Sequence, residues 1–344
     1  MKVLIDIGHP AHVHYFKNVM KTMSAEGHRF VVISRDKEVS QQLLNAYGIP
    51  YFSRGKGATS RIGKLLYMLY ADCLILSVAL RFKPDVFLSV VSPYASQVSW
   101  LLRKPHIALD DTEHATLARK FYLPFTHKVI TPFCFNLDLG PKQVRMNSFL
   151  ELFYLHPKHT TESTSVRKKL GLNSDERFAF LRFVSWGASH DYGVKGIDYE
   201  TTMRLVDKLN PSHKIFISAE GALPENLEHL RIKVPPHEIH GVLAEADLYV
   251  GEGATMASEC AMLGTPAIYI NKLEVTNVNE ESKHLSIVHA RNASELLVEL
   301  EKMLSDDNRK KHALEKLASY IQKLDDPNPF LIEQIKLAYK KKAS

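Results

Sequence analysis

The chain has 344 residues, 45% of them hydrophobic and 24% charged, which is too long for one ordinary compact domain and excludes a disordered, collagen-like or coiled-coil protein. Its three cysteines, Cys73, Cys134 and Cys260, stand far apart with no CxxC and no Cys/His cluster, so neither a disulfide framework nor a structural zinc site is expected. The net charge of +6 is concentrated early: residues 1–156 hold 19 Lys and Arg against 11 Asp and Glu, the remainder 25 against 27. A basic first half suits a phosphate-bearing substrate or an anionic membrane, and with no nucleic-acid-binding motif beside it no nucleic-acid partner is expected.

The chain opens on a short apolar run, Val3–Ile7, that meets Gly8 at once. It reads as a first strand and not as a signal peptide, which makes the cytoplasm the expected compartment. The helical pattern Val13–Met23 precedes Gly27, strand Phe30–Ser34 follows, and helical Val39–Tyr47 precedes Gly48. The β-branched runs Val86–Val90, His106–Leu109 and Val129–Thr131 are again separated by helix-like stretches. The second half repeats the plan with Phe178–Phe183, Lys214–Ser218, Leu248–Val250 and Ala267–Ile270. Strands alternating with helices predict βαβ units and parallel sheets covered on both faces. The expected fold is α/β, with two doubly wound Rossmann-like domains facing a cleft. The polar stretch HPKHTTESTSVR, 156–167, carries no apolar periodicity and sets the expected domains at 1–156 and 157–326. In the tail, Asp325–Pro329 reads as the stop of one helix and Phe330–Tyr339 as the next, within a final segment, 327–344, expected to cross back to the first domain.

One segment is unusually apolar. Ile62–Leu80 (IGKLLYMLYADCLILSVAL) nearly reaches bilayer length, but Lys64 and Asp72 interrupt it and Pro84 follows. A charge in mid-span is costly in lipid, so a buried or half-buried helix is the favoured reading. The alternative is a monotopic patch, peripheral on the inner face of a membrane, with Arg61, Lys64, Arg81 and Lys83 meeting headgroups.

Ligands of open α/β sheets bind beyond the carboxyl ends of strands, and the strongest signal there is ADLYVGEGATMASECAMLGTPAI, 246–268. A strand ends in Gly251-Glu252-Gly253, a helix begins near Thr255, and Gly264-Thr265-Pro266 opens the next strand. Small residues admit a ligand to the backbone, and the free N–H groups of a helix N-terminus suit a diphosphate. Glu259, one turn in, can accept hydrogen bonds from ribose hydroxyls. This unit resembles the donor-nucleotide motif of GT-B glycosyltransferases and of the related UDP-N-acetylglucosamine 2-epimerases, and is closer to the N-acetylglucosaminyltransferases that complete the lipid-linked peptidoglycan precursor. The resemblance implies a GT-B fold, with Gly253, Ala254, Thr255 and Met256 lining the phosphates and Glu259 on the ribose. Chain-wide, DIGHPAHVHYFKN, DDTEH, YLHP, RFVSWGASHD and GEGATMASE are similar to a family known only as a domain of unknown function.

The other strand-end loops supply the remaining candidates. Gly8-His9-Pro10-Ala11-His12-Val13-His14 brings three histidines to a tight turn, where a side chain that accepts a proton near neutral pH is well placed. His12-Val13 aligns with the His-Val that ends a glycine-rich loop in similar GT-B enzymes, which makes His12 a candidate base or acceptor contact. A metal site is the other chemical reading of HxxHxH, but no Cys or carboxylate pairs with it. His14 and His9 suit packing and capping. Asp110-Asp111-Thr112-Glu113-His114, after the fourth strand of this half, offers Asp111, Glu113 and His114 for base work or hydroxyl binding, with N-capping by Asp111 or Thr112 as the structural alternative. In the second half, Ser185, Gly187 and Ser189 form a Gly/Ser loop of the kind that GT-B donor sites place on phosphates, and Arg182 can offer charge to a departing diphosphate. Glu220 and His237 would flank the base. The expected activity is transfer of a sugar from a nucleotide-sugar, a UDP-sugar by resemblance, to an envelope, polysaccharide or lipid-linked acceptor, with the nucleotide-sugar as substrate and neither metal nor cofactor. The alternatives are a UDP-N-acetylhexosamine 2-epimerase and a non-catalytic nucleotide-sugar-binding protein.

Overall fold

The structure, a computed structural model, describes residues 1–37, 39–58, 60–159, 166–183, 197–219 and 221–343. The chain divides into two compact units, Met1–Tyr154 with Asp325–Ser344, and Leu155–Leu324. The first is built on strands β1 (Lys2–Ile7), β2 (Arg29–Ser34), β3 (Tyr51–Ser53), β4 (Val86–Val90), β5 (His106–Leu109), β6 (Lys128–Pro132) and β7 (Gln143–Met146), in the order β3-β2-β1-β4-β5-β6-β7. The second carries β8 (Phe178–Phe183), β9 (Lys214–Ala219), β10 (Leu248–Gly251), β11 (Ala267–Ile270) and β12 (Ile287–Ala290), in the order β12-β11-β10-β8-β9. Every strand pairing is parallel. Both units are therefore doubly wound, and every residue of β4, β5 and β10 is buried because helices cover both faces.

The strands that the sequence pattern leaves unmarked, β3, β7 and β12, are sheet edges. Each has three or four residues, and an edge strand with one covered side needs no solid apolar run. In the tail two helices are present as expected, Arg309–Ile321 and Pro327–Ala343, but the second begins at Pro327, inside the stretch read as a stop. Prolines at its first and third positions lack only N–H groups that would have no acceptor within the helix, and Asp326 Oδ1 caps it by accepting the Asn328 N–H at 3.0 Å.

The apolar segment forms a 22-residue helix, Arg61–Phe82, started by Ser60, whose hydroxyl accepts the Gly63 N–H, and ended by Lys83 in the left-handed region. Its inner stripe, Ala71, Ile75 and Ala79, is buried, and Ile75 and Ala79 pack with Leu4, Ile33 and Phe87 of the first sheet. The rest is far less covered than the sequence predicts: Ile62, Leu65, Leu66 and Leu69 are all more than half exposed, because only the stripe from Ile75 onward meets the sheet.

Candidate functional site

In a doubly wound sheet the ligand crevice opens where adjacent strands lead off in opposite directions. In the second unit that point lies between β8 and β10, and Arg182 and Gly251 are register partners there. The turn after β10 is tied down by backbone: the Glu252 N–H donates to the Arg182 carbonyl at 3.1 Å, and the Glu252 carbonyl accepts Asn271 Nδ2 at 3.3 Å. A Cβ on Gly251 would run into the Tyr249 hydroxyl and the Arg182 Cβ, so only glycine fits. Gly253 then caps the helix Ala254–Met262 without a side-chain bond, which leaves its first-turn N–H groups for a ligand. Gly253, Ala254 and Met256 are half-buried and Thr255 is exposed.

Two carboxylates flank this turn. Glu252 is buried, and its Oε1 accepts the Ile197 N–H at 2.6 Å, so its side chain is engaged in holding the loop. Glu259 is buried and meets His240 Nε2 at 3.1 Å. His240 lies on the helix Ile239–Glu245, which packs on Ala254–Met262. His237, expected beside the nucleotide base, is exposed on the Pro236–Glu238 turn, with its Nε2 3.7 Å from Glu238 Oε1. His240 was missed because nothing in its neighbourhood shows that its short helix lies against the GEGATMASE helix. Beneath the turn, the Tyr249 hydroxyl is buried without a hydrogen-bond partner among the described residues, and burial pushes it well above the ordinary tyrosine range. On the far side of the helix, Ser258 donates to Glu281 Oε2 at 2.7 Å; Glu281 is fully buried, and desolvation raises it to about 8. Ser185, Gly187, Ser189 and Glu220 lie outside the described residues.

In the first unit the same crossover point lies between β1 and β4, and it holds a polar cluster the sequence reading did not assemble. Asp6, at the end of β1, is buried and receives Arg54 Nε at 2.9 Å and the Ser92 hydroxyl at 2.5 Å. Arg54 reaches on to the Tyr67 hydroxyl at 2.6 Å and lies over the Tyr94 ring, 4.8 Å from its centroid. The available signals were Asp6 inside an apolar strand and Ser92-Pro93, an N-cap and first helical residue directly after β4. Arg54 comes from the loop after the missed edge strand β3.

His12 belongs beside this cluster. Its Nδ1 accepts the Gly8 N–H at 3.2 Å, and burial, with His9 and Arg54 nearby, keeps its pKa well below the usual histidine value. The neutral ring then carries its proton on Nε2, so His12 presents a donor rather than a base. His9 caps the Pro10–Ala25 helix, accepting the Ala11 N–H, and His14 is buried, 3.3 Å from the Tyr47 hydroxyl and stacked on Tyr154. Among the described residues no group of three or more His, Cys, Asp and Glu is placed to hold a metal ion.

The DDTEH loop follows β5. It does not cap a helix: the next helix begins only at Thr116, with Ala115 as its cap residue, and Asp110 Oδ1 accepts the Thr112 N–H at 3.0 Å to turn the loop. Asp110 is fully buried between Arg119 Nε at 3.2 Å and the Tyr122 hydroxyl at 2.5 Å. Asp111 accepts the Thr112 hydroxyl at 2.8 Å, and desolvation raises it to about 6. Glu113 Oε1 accepts the Asn136 N–H at 3.2 Å. His114 is exposed, and the loop does not gather all four side chains onto one point.

Comparison with known proteins places this geometry. Residues 1–338 match the family described as Protein of unknown function (DUF354). The chain belongs to that family. It is also similar to an uncharacterized protein of Methanocaldococcus jannaschii, 25% identical, with 97% of this chain and 98% of the relative covered. Among solved structures it resembles the UDP-GlcNAc 2-epimerase of Neisseria meningitidis bound to UDP-GlcNAc, with a TM-score of 0.71 at 12% identity over 97% of this chain and 99% of that one. It also resembles the spinosyn rhamnosyltransferase SpnG complexed with thymidine diphosphate, with a TM-score of 0.61 at 14% identity over 96% and 99%. The DUF354 chain thus has the α/β GT-B fold of two Rossmann-like domains.

Proposed function

We propose that the protein is a glycosyltransferase that moves a sugar from a nucleoside-diphosphate donor, a UDP-sugar first among candidates, to a hydroxyl of an envelope or polysaccharide acceptor. The observation that carries this reading is the uncapped N-terminus of helix Ala254–Met262 at the crossover point of the second sheet, with buried Glu259 one turn behind it. Gly253 through Met256 receive the diphosphate on backbone N–H groups, and the helix dipole stabilises the charge that develops on the leaving group. Glu259, oriented by His240, accepts the ribose hydroxyls. Arg182 lies at the end of the neighbouring strand, its Nη1 2.8 Å from the Ser218 hydroxyl, and contributes positive charge. Asp111 is the acceptor base, because a carboxylate raised to about 6 is ionised at neutral pH yet basic enough to take a hydroxyl proton. His12 holds an acceptor oxygen through its Nε2–H. This scheme needs no metal.

Solved epimerases and transferases share the fold, and fold does not choose between chemistries. The apolar outer face of the Arg61–Phe82 helix favours transfer to an acceptor held near lipid over isomerisation of a soluble sugar nucleotide. The test is calorimetry with UDP-, GDP-, CMP- and dTDP-sugars, without added metal, on the intact chain and on Glu259→Gln. One nucleotide is expected to bind, with a loss of about tenfold or more in the variant at unchanged Tm. Absence of binding by all four sinks the reading. Incubation of the donor alone then separates the activities: intact donor supports transfer, and epimerised sugar supports the 2-epimerase.

A further inference from the structure

The helices Arg61–Phe82, Pro93–Leu101 and Thr116–Tyr122 connect β3 to β4, β4 to β5 and β5 to β6. These crossovers run in one direction across the sheet, so their right-handedness puts all three helices on one face, and neighbouring helices of the set are in contact. More than half of the large hydrophobic side chains exposed among the described residues lie on these three helices. Ile62 is 75% exposed, Leu117 68% and Trp100 62%. Single exposed apolar residues are ordinary, but a continuous helical layer of them marks an interaction surface.

The charges of the layer are one-sided. Lys64, Arg81 and Lys120 are exposed on the helices, and Arg103 is exposed just beyond the second of them. The single carboxylate on the three helices, Asp72, has its Oδ1 buried. We propose that this layer is the membrane face of the protein, lying in the interface of an anionic bilayer with its apolar side chains among the acyl chains and its basic residues on the headgroups. The helix does not span, because Ile75 and Ala79 of its buried stripe are committed to the sheet. A second copy of the chain fits less well, since it would set like charges against each other around the apolar contact, whereas phosphate headgroups complement them.

The test is flotation of the full chain with vesicles of phosphatidylcholine, alone or mixed with phosphatidylglycerol. Binding to the mixed vesicles, weakened by salt and absent from the neutral ones, is expected. The variant Leu66→Glu with Leu69→Glu alters only exposed positions and is expected to keep the parent Tm and nucleotide affinity while losing at least about tenfold in vesicle binding. Lys64→Glu with Lys120→Glu is expected to weaken binding in the same direction. The proposal is overturned if the chain ignores anionic vesicles, or if the leucine variant floats as well as the parent. A dimer in light scattering that the leucine variant dissociates, with no vesicle binding by either protein, assigns the face to a second copy instead. Because nucleotide affinity is read on the same samples, failure at the membrane leaves the sugar-nucleotide reading standing.

Discussion

Asp111 is the residue on which the proposed chemistry turns, and its environment makes a signed prediction. Its carboxyl titrates near 6, so activity is expected to fall as pH drops through that value, and Asp111→Asn to lose about a hundredfold or more in kcat. An Asn variant with parent activity would remove Asp111 from the mechanism. Glu281 gives a stability counterpart. Its pKa is raised from 4.5 to about 8 by complete burial, so the protein binds a proton there that the unfolded chain releases. Stability from this group is full below about 4.5 and is lost as pH rises to about 8. Glu281→Gln keeps an acceptor for Ser258 and is expected to flatten that decline in Tm between about pH 4.5 and 8; an unchanged slope would place the titration elsewhere. Arg54→Ala strands Asp6 as a buried charge and should cost about 3–5 kcal/mol in denaturant unfolding, whereas replacing both partners with apolar residues should cost less.

Legibility at the scale of the element followed burial. The central strands β1, β4, β5, β8, β10 and β11 were readable because each is a largely apolar run bounded by turn residues; of the four edges only β9 carries such a run, and β3, β7 and β12 stayed unmarked because an edge need not be apolar. The GEGATMASE turn was readable because close contact requires glycine at its first position, Gly251. Gly251→Ala, which forces a methyl against Tyr249 and Arg182, is expected to cost about 1–3 kcal/mol and to weaken nucleotide binding; a variant that keeps both would show that the turn tolerates a side chain. The Asp6–Arg54–Ser92 cluster and the His240–Glu259 contact stayed hidden for a different reason. Their partners are 86, 48 and 19 residues apart, and only the winding of the sheet brings them together. In the DDTEH loop the sequence does not show which carboxylate is already engaged: Asp110 is held by Arg119 and Tyr122, 9 and 12 residues on.

At the scale of the whole molecule, the first unit is made from the two ends of the chain. Asp325 donates its N–H to Asn147 and accepts the Ser148 hydroxyl, Asn328 Nδ2 donates to the Phe153 carbonyl at 3.0 Å, and Leu331 and Ile335 are fully buried. Truncation before Asp325 is therefore expected to lower the unfolding transition of residues 1–154 while leaving that of 155–324 in place, read as loss of one calorimetric peak or as selective proteolysis of the first unit. Equal loss of both would show that the units unfold as one. The same arrangement has a consequence for biosynthesis. Lys128 reaches Gln334, 206 residues later, so a nascent chain emerging from the ribosome has all seven strands of its first sheet long before the helix that completes that sheet's packing exists. The unit encoded between them is contiguous and can finish folding while the earlier one waits. During that interval the unfinished first unit has no Pro327–Ala343 helix against it, and it is the stage of synthesis at which a chaperone has the most to hold.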